Sequence, residues 1–236
     1  MLKFITRSCC LFTLFMSAAL SAEIRGKVDL GPAYVHVDVL ESGKTVKAMH
    51  MGALKGDATI LVWKGVGIKS GFLAASGQGD LISYSVAAAH YTPITDKIAL
   101  VPSVGVTFSY LSTHINLEEQ QLFHLKERFR SNSPYIALEF SYKFNCSWTL
   151  IGMYQYAWSR THTKISTTRR THFPLGSTDL VKDHSHSDGA NYSLGVDYTI
   201  NDHWSVNAGA AYNLTLSHEK HGLRGYGFKA GTSYYF

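Results

Sequence analysis

Three stretches of this 236-residue sequence carry residues whose types and spacing could do chemistry. His203-Trp204-Ser205 sets a histidine and a serine two residues apart. On a strand that spacing puts both on one face, where an imidazole can take the hydroxyl proton and activate the oxygen for acyl transfer. The run Asp183-His184-Ser185-His186-Ser187-Asp188 offers imidazoles and carboxylates of the kind that bind Zn²⁺. Arg169 and Arg170 are adjacent, with His172, His184 and His186 in the same segment, 162–188. A guanidinium fork holds phosphate oxygens through paired hydrogen bonds. Each has a plainer reading. Twelve histidines make a three-residue match easy to meet by chance, and the 183–188 run has no second cluster of fixed spacing. The expectation is a protein that is not an enzyme and needs no metal and no cofactor. Arg169, Arg170, His172, His184 and His186 are then binding candidates on a solvated loop.

What must position these residues is a set of strands. In 224–236 the even positions read Arg224, Tyr226, Phe228, Ala230, Thr232, Tyr234, Phe236, and glycine, lysine and serine fill most of the odd ones. The same two-residue period runs through 204–216, 191–200, 148–159, 134–144, 98–110 and 82–91. Strict alternation marks strands with two unlike faces. Segments 28–40, 46–55 and 59–75 alternate more weakly and bring the sum to about ten strands, with eight the alternative. Short connections at 92–97, 144–147 and 200–203 alternate with the long polar stretches 112–132 and 162–188. Tight turns at one end and long loops at the other suit an antiparallel barrel that crosses a membrane. Within 112–132, the run 117–129 is rich in helix formers; it is a short helix at the barrel mouth or an extension of the flanking strands.

Composition narrows the class. Charged residues are 17%, aromatics 13% and mean hydropathy −0.04. Few charges and many aromatics exclude a disordered chain. Beyond residue 22, no apolar run reaches the roughly 18 residues of a membrane-crossing helix. The first 22 residues have the layout of a secretory signal peptide: Lys3 and Arg7, an apolar stretch over 9–20, then Ala19-Leu20-Ser21-Ala22 for cleavage. Residues 23–236 form the barrel domain. They keep Cys146 as their single cysteine and so can form no internal disulfide.

The two faces differ in a way that fits lipid on one side. The non-apolar face is mostly Gly, Ser, Asn, Ala and Thr, a sparse surface for water but a good filling for a narrow lumen. Trp148, Trp204, Tyr142, Phe144, Tyr198, Tyr234 and Phe236 cluster beside the short turns, and Tyr84, Phe108, Tyr110, Tyr156, Trp158, Tyr192 and Tyr226 beside the long ones. Two aromatic rings separated by aliphatics match two membrane interfaces. On this phase the lumen carries a charge network of Lys69, Glu139, Lys143, Asp197 and Lys229. It also takes His36, Asp38 and His50, if the first strands face inward at even positions. Lys64 and Lys69 have opposite parity within 59–75, which asks for a bulge near Gly65–Gly71 or for Lys64 to reach the periplasmic edge.

The signal peptide, the alternation and the last strand YGFKAGTSYYF, ending in Phe236, resemble a small Gram-negative outer-membrane β-barrel protein of the OmpA, OmpX and opacity-protein type. The resemblance spans the whole mature chain and implies location in the outer membrane. It implies that Tyr226, Phe228, Tyr234 and Phe236 form the signal read by the barrel assembly machinery. Outer-membrane lipids and lipopolysaccharide are implied partners, with a host or surface polyanion at the loops and no nucleic acid. The expected role is structural or surface-interacting, with a small-solute channel as the alternative. Outer-membrane proteases and lipid A-modifying enzymes also use such barrels. The Asp-x-His motif of the proteases is absent, since Asp183 and His184 are adjacent. His203 and Ser205 follow a short turn, at the periplasmic end.

Overall fold

The computed structural model describes residues 25–116, 123–169, 178–217 and 220–236. These form β1 (Arg25–Glu41), β2 (Lys44–Trp63), β3 (Val66–Gly77), β4 (Gly79–His90), the two-residue β5 (Thr92–Pro93), β6 (Ile98–Asn116), β7 (Phe123–Lys143), β8 (Trp148–Arg169), β9 (Thr178–Thr199), β10 (Trp204–Ser217) and β11 (Gly222–Tyr235). Ten long strands pair antiparallel with their neighbours in the chain, β4 bonds to β6, and β1 bonds to β11. The sheet therefore closes on itself and leaves no long edge unpaired.

Side chains sort by parity, as a barrel wall requires. Val28, Leu30, Leu54, Ile68, Phe72, Val104, Ile136, Leu194, Val206 and Phe228, all even-numbered, point outward and are exposed. A soluble protein does not display so large an apolar band; hydrocarbon does the burying here. Aromatics edge that band. At the end that carries both termini, Trp148 stacks near Tyr198 at 4.9 Å and Trp204 near Tyr234 at 5.0 Å. Toward the other end, Tyr226, Tyr212, Tyr192 and Tyr154 occupy one continuous row across β11, β10, β9 and β8.

Local chemistry fixes the short turns. Asn145 Oδ1 accepts from the backbone N–H of Ser147 and Trp148, and Asn201 Oδ1 accepts from those of His203 and Trp204. Thr95 Oγ1 does the same for Lys97 and Ile98. These side chains satisfy turn donors that the ladder cannot reach. The turn between β2 and β3 is Lys64-Gly65, with φ of 43° and 83°, the two positive values that a type I′ hairpin needs.

That turn corrects the reading of 46–75. The strands there are 44–63 and 66–77, so Asp57 lies mid-strand. Lys64 faces neither lipid nor lumen: it sits in the turn, its ammonium 5.0 Å from the Trp63 ring. The chain slips register between Leu61 and Trp63, within β2 rather than at the glycines after it. A Cβ on Gly65 would lie 2.7 Å from the Tyr91 carbonyl oxygen. Gly65→Ala is expected to cost about 1–2 kcal/mol. Gly52→Ala, whose Cβ meets nothing within 4 Å, should change stability by under about 0.5 kcal/mol. Denaturant midpoints of the two refolded variants check this.

The long polar stretches are mainly strand. β6 and β7 pair out to Asn116↔His124, and β8 and β9 pair out to Thr167↔Thr178. The described part of 117–129 is strand from Phe123, so it extends the wall rather than forming a helix. The residues of β9 from Thr178 to His186 pair only with β8, beyond the end of β10 at Ser217. The barrel rim is thus lopsided: β6–β9 rise well above β3 and β4, whose shared turn is at Gln78.

Candidate functional site

The lumen is filled in two layers. The lower layer, toward the termini, is ionic. Lys69 meets Glu139 at 2.6 Å and Lys27 meets Asp197 at 2.6 Å. Lys229 bonds Asp29 and also reaches Asp57 at 3.3 Å, while Lys55 holds Asp57 at 2.7 Å. Four cations thus face four carboxylates, and hydroxyls and an amide add further hydrogen bonds. Ser233 and Asn207 donate to Asp29, and Tyr235 donates to Asp197. A buried charge is tolerated on these terms, paired and hydrogen-bonded.

The upper layer is apolar. Val37, Met49, Met51, Ala75 and Leu111 form one cluster, with Val35, Val39, Ala53, Leu81, Phe129 and Leu223 packed around it. Met49 and Met51 are 0% and 1% exposed, so neither side chain meets solvent. All these positions are odd-numbered and face inward. Flexible thioethers suit such a stopper, since they fill irregular space.

Of the sequence candidates, Lys69, Glu139, Asp197 and Lys229 lie in the ionic layer. Lys143 is exposed at the lower end of β7 and pairs with no carboxylate among the described residues. Lys27, Asp29, Lys55 and Asp57 were missed by sequence reasoning. Their signal was a repeated Lys-x-Asp, 27–29 and 55–57, in the odd phase of the rest of the network.

His36, Asp38 and His50 lie on the outer face, opposite to the inward placement expected of them. The phase of β1 was hidden because Val35, Val37 and Val39 make its inner face apolar too. The outward polar groups satisfy one another at the upper aromatic row. Tyr34 bonds His50, His36 Nδ1 faces His50 Nδ1 at 3.1 Å, and His36 Nε2 meets Asp38 at 2.9 Å. Arg224 grips Asp38 through Nε at 3.0 Å and Nη2 at 2.7 Å. Tyr226 stacks on His36, ring centres 4.4 Å apart.

Ser205 is fully buried and faces the lumen at the lower end. His203 is held by the Tyr235 carbonyl oxygen at 3.0 Å. Tyr226, Phe228, Tyr234 and Phe236 form an exposed outward row on the closing strand. Arg170 and His172 lie outside the described residues, as do residues 1–22. Arg169 pairs in the ladder with Phe123, His184 with His162, and His186 with Arg160.

These pairings expose a pattern that the sequence hid. Across β7, β8 and β9 the register aligns Arg128, Lys164 and Lys182 in one row, and Arg130, His162 and His184 in the next. Below them come Asn132, Arg160 and His186. All are even positions, and Arg130, Asn132 and Arg160 share the phase of outward-facing Trp158 and Tyr154. Arg130, Arg160, His162 and His186 are exposed.

The sequence matches the family model described as outer membrane protein beta-barrel domain over residues 8–236. No curated protein matches it. Among solved structures it is similar to the outer membrane protease OmpT from Escherichia coli, at 14% identity over 90% of this chain and 96% of that one, TM-score 0.59. It is also similar to the translocator domain of the autotransporter NalP from Neisseria meningitidis, at 8% identity over 98% and 95%, TM-score 0.50. A third is the attachment invasion locus protein Ail of Yersinia pestis, solved with the heparin analogue sucrose octasulfate, at 9% identity over 89% and 99%, TM-score 0.43. At these identities the first two structures share a fold with this chain and nothing more specific. With a model matched over nearly its full length and a closed barrel banded for lipid, the chain belongs to the outer-membrane β-barrel protein family of Gram-negative bacteria.

Proposed function

We propose that this protein is a sealed outer-membrane barrel whose work is done on its outer surface, as a structural or surface-interaction protein rather than a channel. The filled lumen carries this reading. Ion pairs occupy its lower part, and a methionine-rich apolar cluster closes the part above. A solute would have to displace both layers, and the apolar one offers it no hydrogen bond. The tall wall of β6–β9, by contrast, presents a broad face outside the membrane.

Refolded protein in planar bilayers tests it. The expected record has no stable single-channel steps. Steady steps in the unaltered protein, shifted in size by Lys69→Gln or Lys229→Gln, would support the porin-like alternative and sink this one.

A further inference from the structure

The outward polar group on β1, β2 and β11 is a cluster of possible metal ligands. Tyr34, His36 and Asp38 alternate along β1, and the register sets His50 of β2 opposite His36 and Arg224 of β11 opposite Asp38. Asp38 is 5% exposed and His36 6%, while His50 and Tyr34 are exposed. The group is backed by the sheet and open on its outer side.

Protons are short at its centre. Arg224 holds Asp38 Oδ2, and Asp38 Oδ1 meets His36 Nε2 at 2.9 Å. A carboxylate only accepts, so it fixes the proton of neutral His36 on Nε2 and leaves a lone pair on Nδ1. That lone pair faces His50 Nδ1 at 3.1 Å, and Tyr34 Oη lies 2.5 Å from the same His50 nitrogen. When His50 Nδ1 accepts the Tyr34 proton, it turns a lone pair toward that of His36. When it carries its own proton, one N–H serves two acceptors. A single cation among the three atoms satisfies all of them.

The geometry suits a transition metal. Such an ion binds imidazole nitrogen at about 2.0–2.1 Å, which puts two ligand nitrogens about 3.3 Å apart at a tetrahedral angle. The 3.1 Å between the His36 and His50 nitrogens is close to that. Their rings stand at 68° with centres 4.4 Å apart, so the nitrogens do not meet head-on. The exposed Tyr34 ring has only to draw back by under about 1 Å. A carboxylate behind a ligating histidine is the usual support of a metal-bound imidazole, and Asp38 stands in that place behind His36. Gly52, opposite Tyr34 and two residues from His50, adds open space, since a Cβ there meets nothing within 4 Å. Among the described residues no three His, Cys, Asp or Glu side chains converge; the third donor here is a phenol.

We propose that His36 Nδ1, His50 Nδ1 and Tyr34 Oη bind a divalent transition-metal ion, with Cu²⁺ held more tightly than Zn²⁺. Asp38 and Arg224 position His36. On binding, His50 keeps its proton on Nε2 and the Tyr34 phenol releases its proton to water. This site is separate from the run at 183–188, and it does not depend on whether the lumen conducts.

The refolded full chain, free of any affinity tag, is titrated in detergent micelles with Cu²⁺, Zn²⁺ and Ca²⁺. Calorimetry reads affinity, and electron paramagnetic resonance reads the nitrogens on Cu²⁺. One tight Cu²⁺ equivalent with two imidazole nitrogens is expected, with Zn²⁺ weaker at the same site and Ca²⁺ not bound. His36→Ala and His50→Gln should each weaken Cu²⁺ about tenfold or more and remove one nitrogen from the spectrum. Asp38→Asn should weaken it about tenfold while both nitrogens remain. His184→Ala together with His186→Ala should change neither affinity nor spectrum. His50 is exposed, so His50→Gln decides where the His36 and Asp38 variants fail to refold. Absence of a tight Cu²⁺ equivalent, unaltered affinity in His50→Gln, or Ca²⁺ bound as tightly as Cu²⁺ would each overturn the proposal. So would loss of the tight equivalent in the His184→Ala, His186→Ala variant, which would assign the metal to the 183–188 run.

Discussion

Asp197→Ala should destabilise the folded barrel by about 3–5 kcal/mol, the usual cost of removing one partner of a buried ion pair. Asp197 is 2% exposed and takes both the Lys27 ammonium at 2.6 Å and the Tyr235 hydroxyl at 3.0 Å. Its removal leaves a cation pointing into a narrow lumen and a phenol without its acceptor. The companion variant matters more than the single one. Lys27→Met with Asp197→Leu removes both charges and keeps the volume, so it should recover most of the loss. Guanidinium unfolding of the refolded proteins in micelles, followed by tryptophan fluorescence, measures both. A single variant as stable as the parent would show that the lower lumen admits enough water to solvate Lys27, and the stopper would be looser than described.

Leu194→Arg is expected to cost about 2–4 kcal/mol, whereas Tyr192→Arg, one step up the same face of β9, should cost about 0–1 kcal/mol. Leu194 is 56% exposed and sits between the aromatic levels marked by Tyr192 and Tyr198. An arginine at Leu194 must carry its charge through hydrocarbon. At Tyr192 it reaches the headgroups by extending its stem. The pair is read by equilibrium unfolding in phospholipid bilayers, with heat-modifiable gel mobility as the check on folding. Equal costs at both positions would mean that the apolar band is misplaced along the strands. The contrast would vanish altogether in a barrel whose even face met water.

Much of this was legible in one dimension, and the reasons are local. Strands 82–91, 98–110, 134–144, 148–159 and 191–236 announce themselves because one face is lipid-apolar and the other is small and polar. Their turns were visible because Asn145, Asn201 and Thr95 are residues that cap their own turn. The first two strands were not legible. Val35, Val37 and Val39 point inward to the stopper while Tyr34 and Leu30 point outward, so both faces of β1 read as apolar and its phase is lost. The misread phase hid Asp29, and the misplaced boundary between β2 and β3 put Asp57 outside the strands. It also sent His36 and Asp38 to the wrong side of the wall.

The sequence by itself determined the class: about ten antiparallel strands, a lipid-facing band and a lumen with both charge signs. Those follow from periodicity and composition, which depend only on near neighbours in the chain. Only the tertiary structure decided which charges meet, that methionines from β2 join an apolar cluster in the upper lumen, and that basic residues far apart in the chain form one face. Such groupings are set by register between strands. Arg128, Lys164 and Lys182 become neighbours only when three strands align, and nothing local in the chain records that alignment.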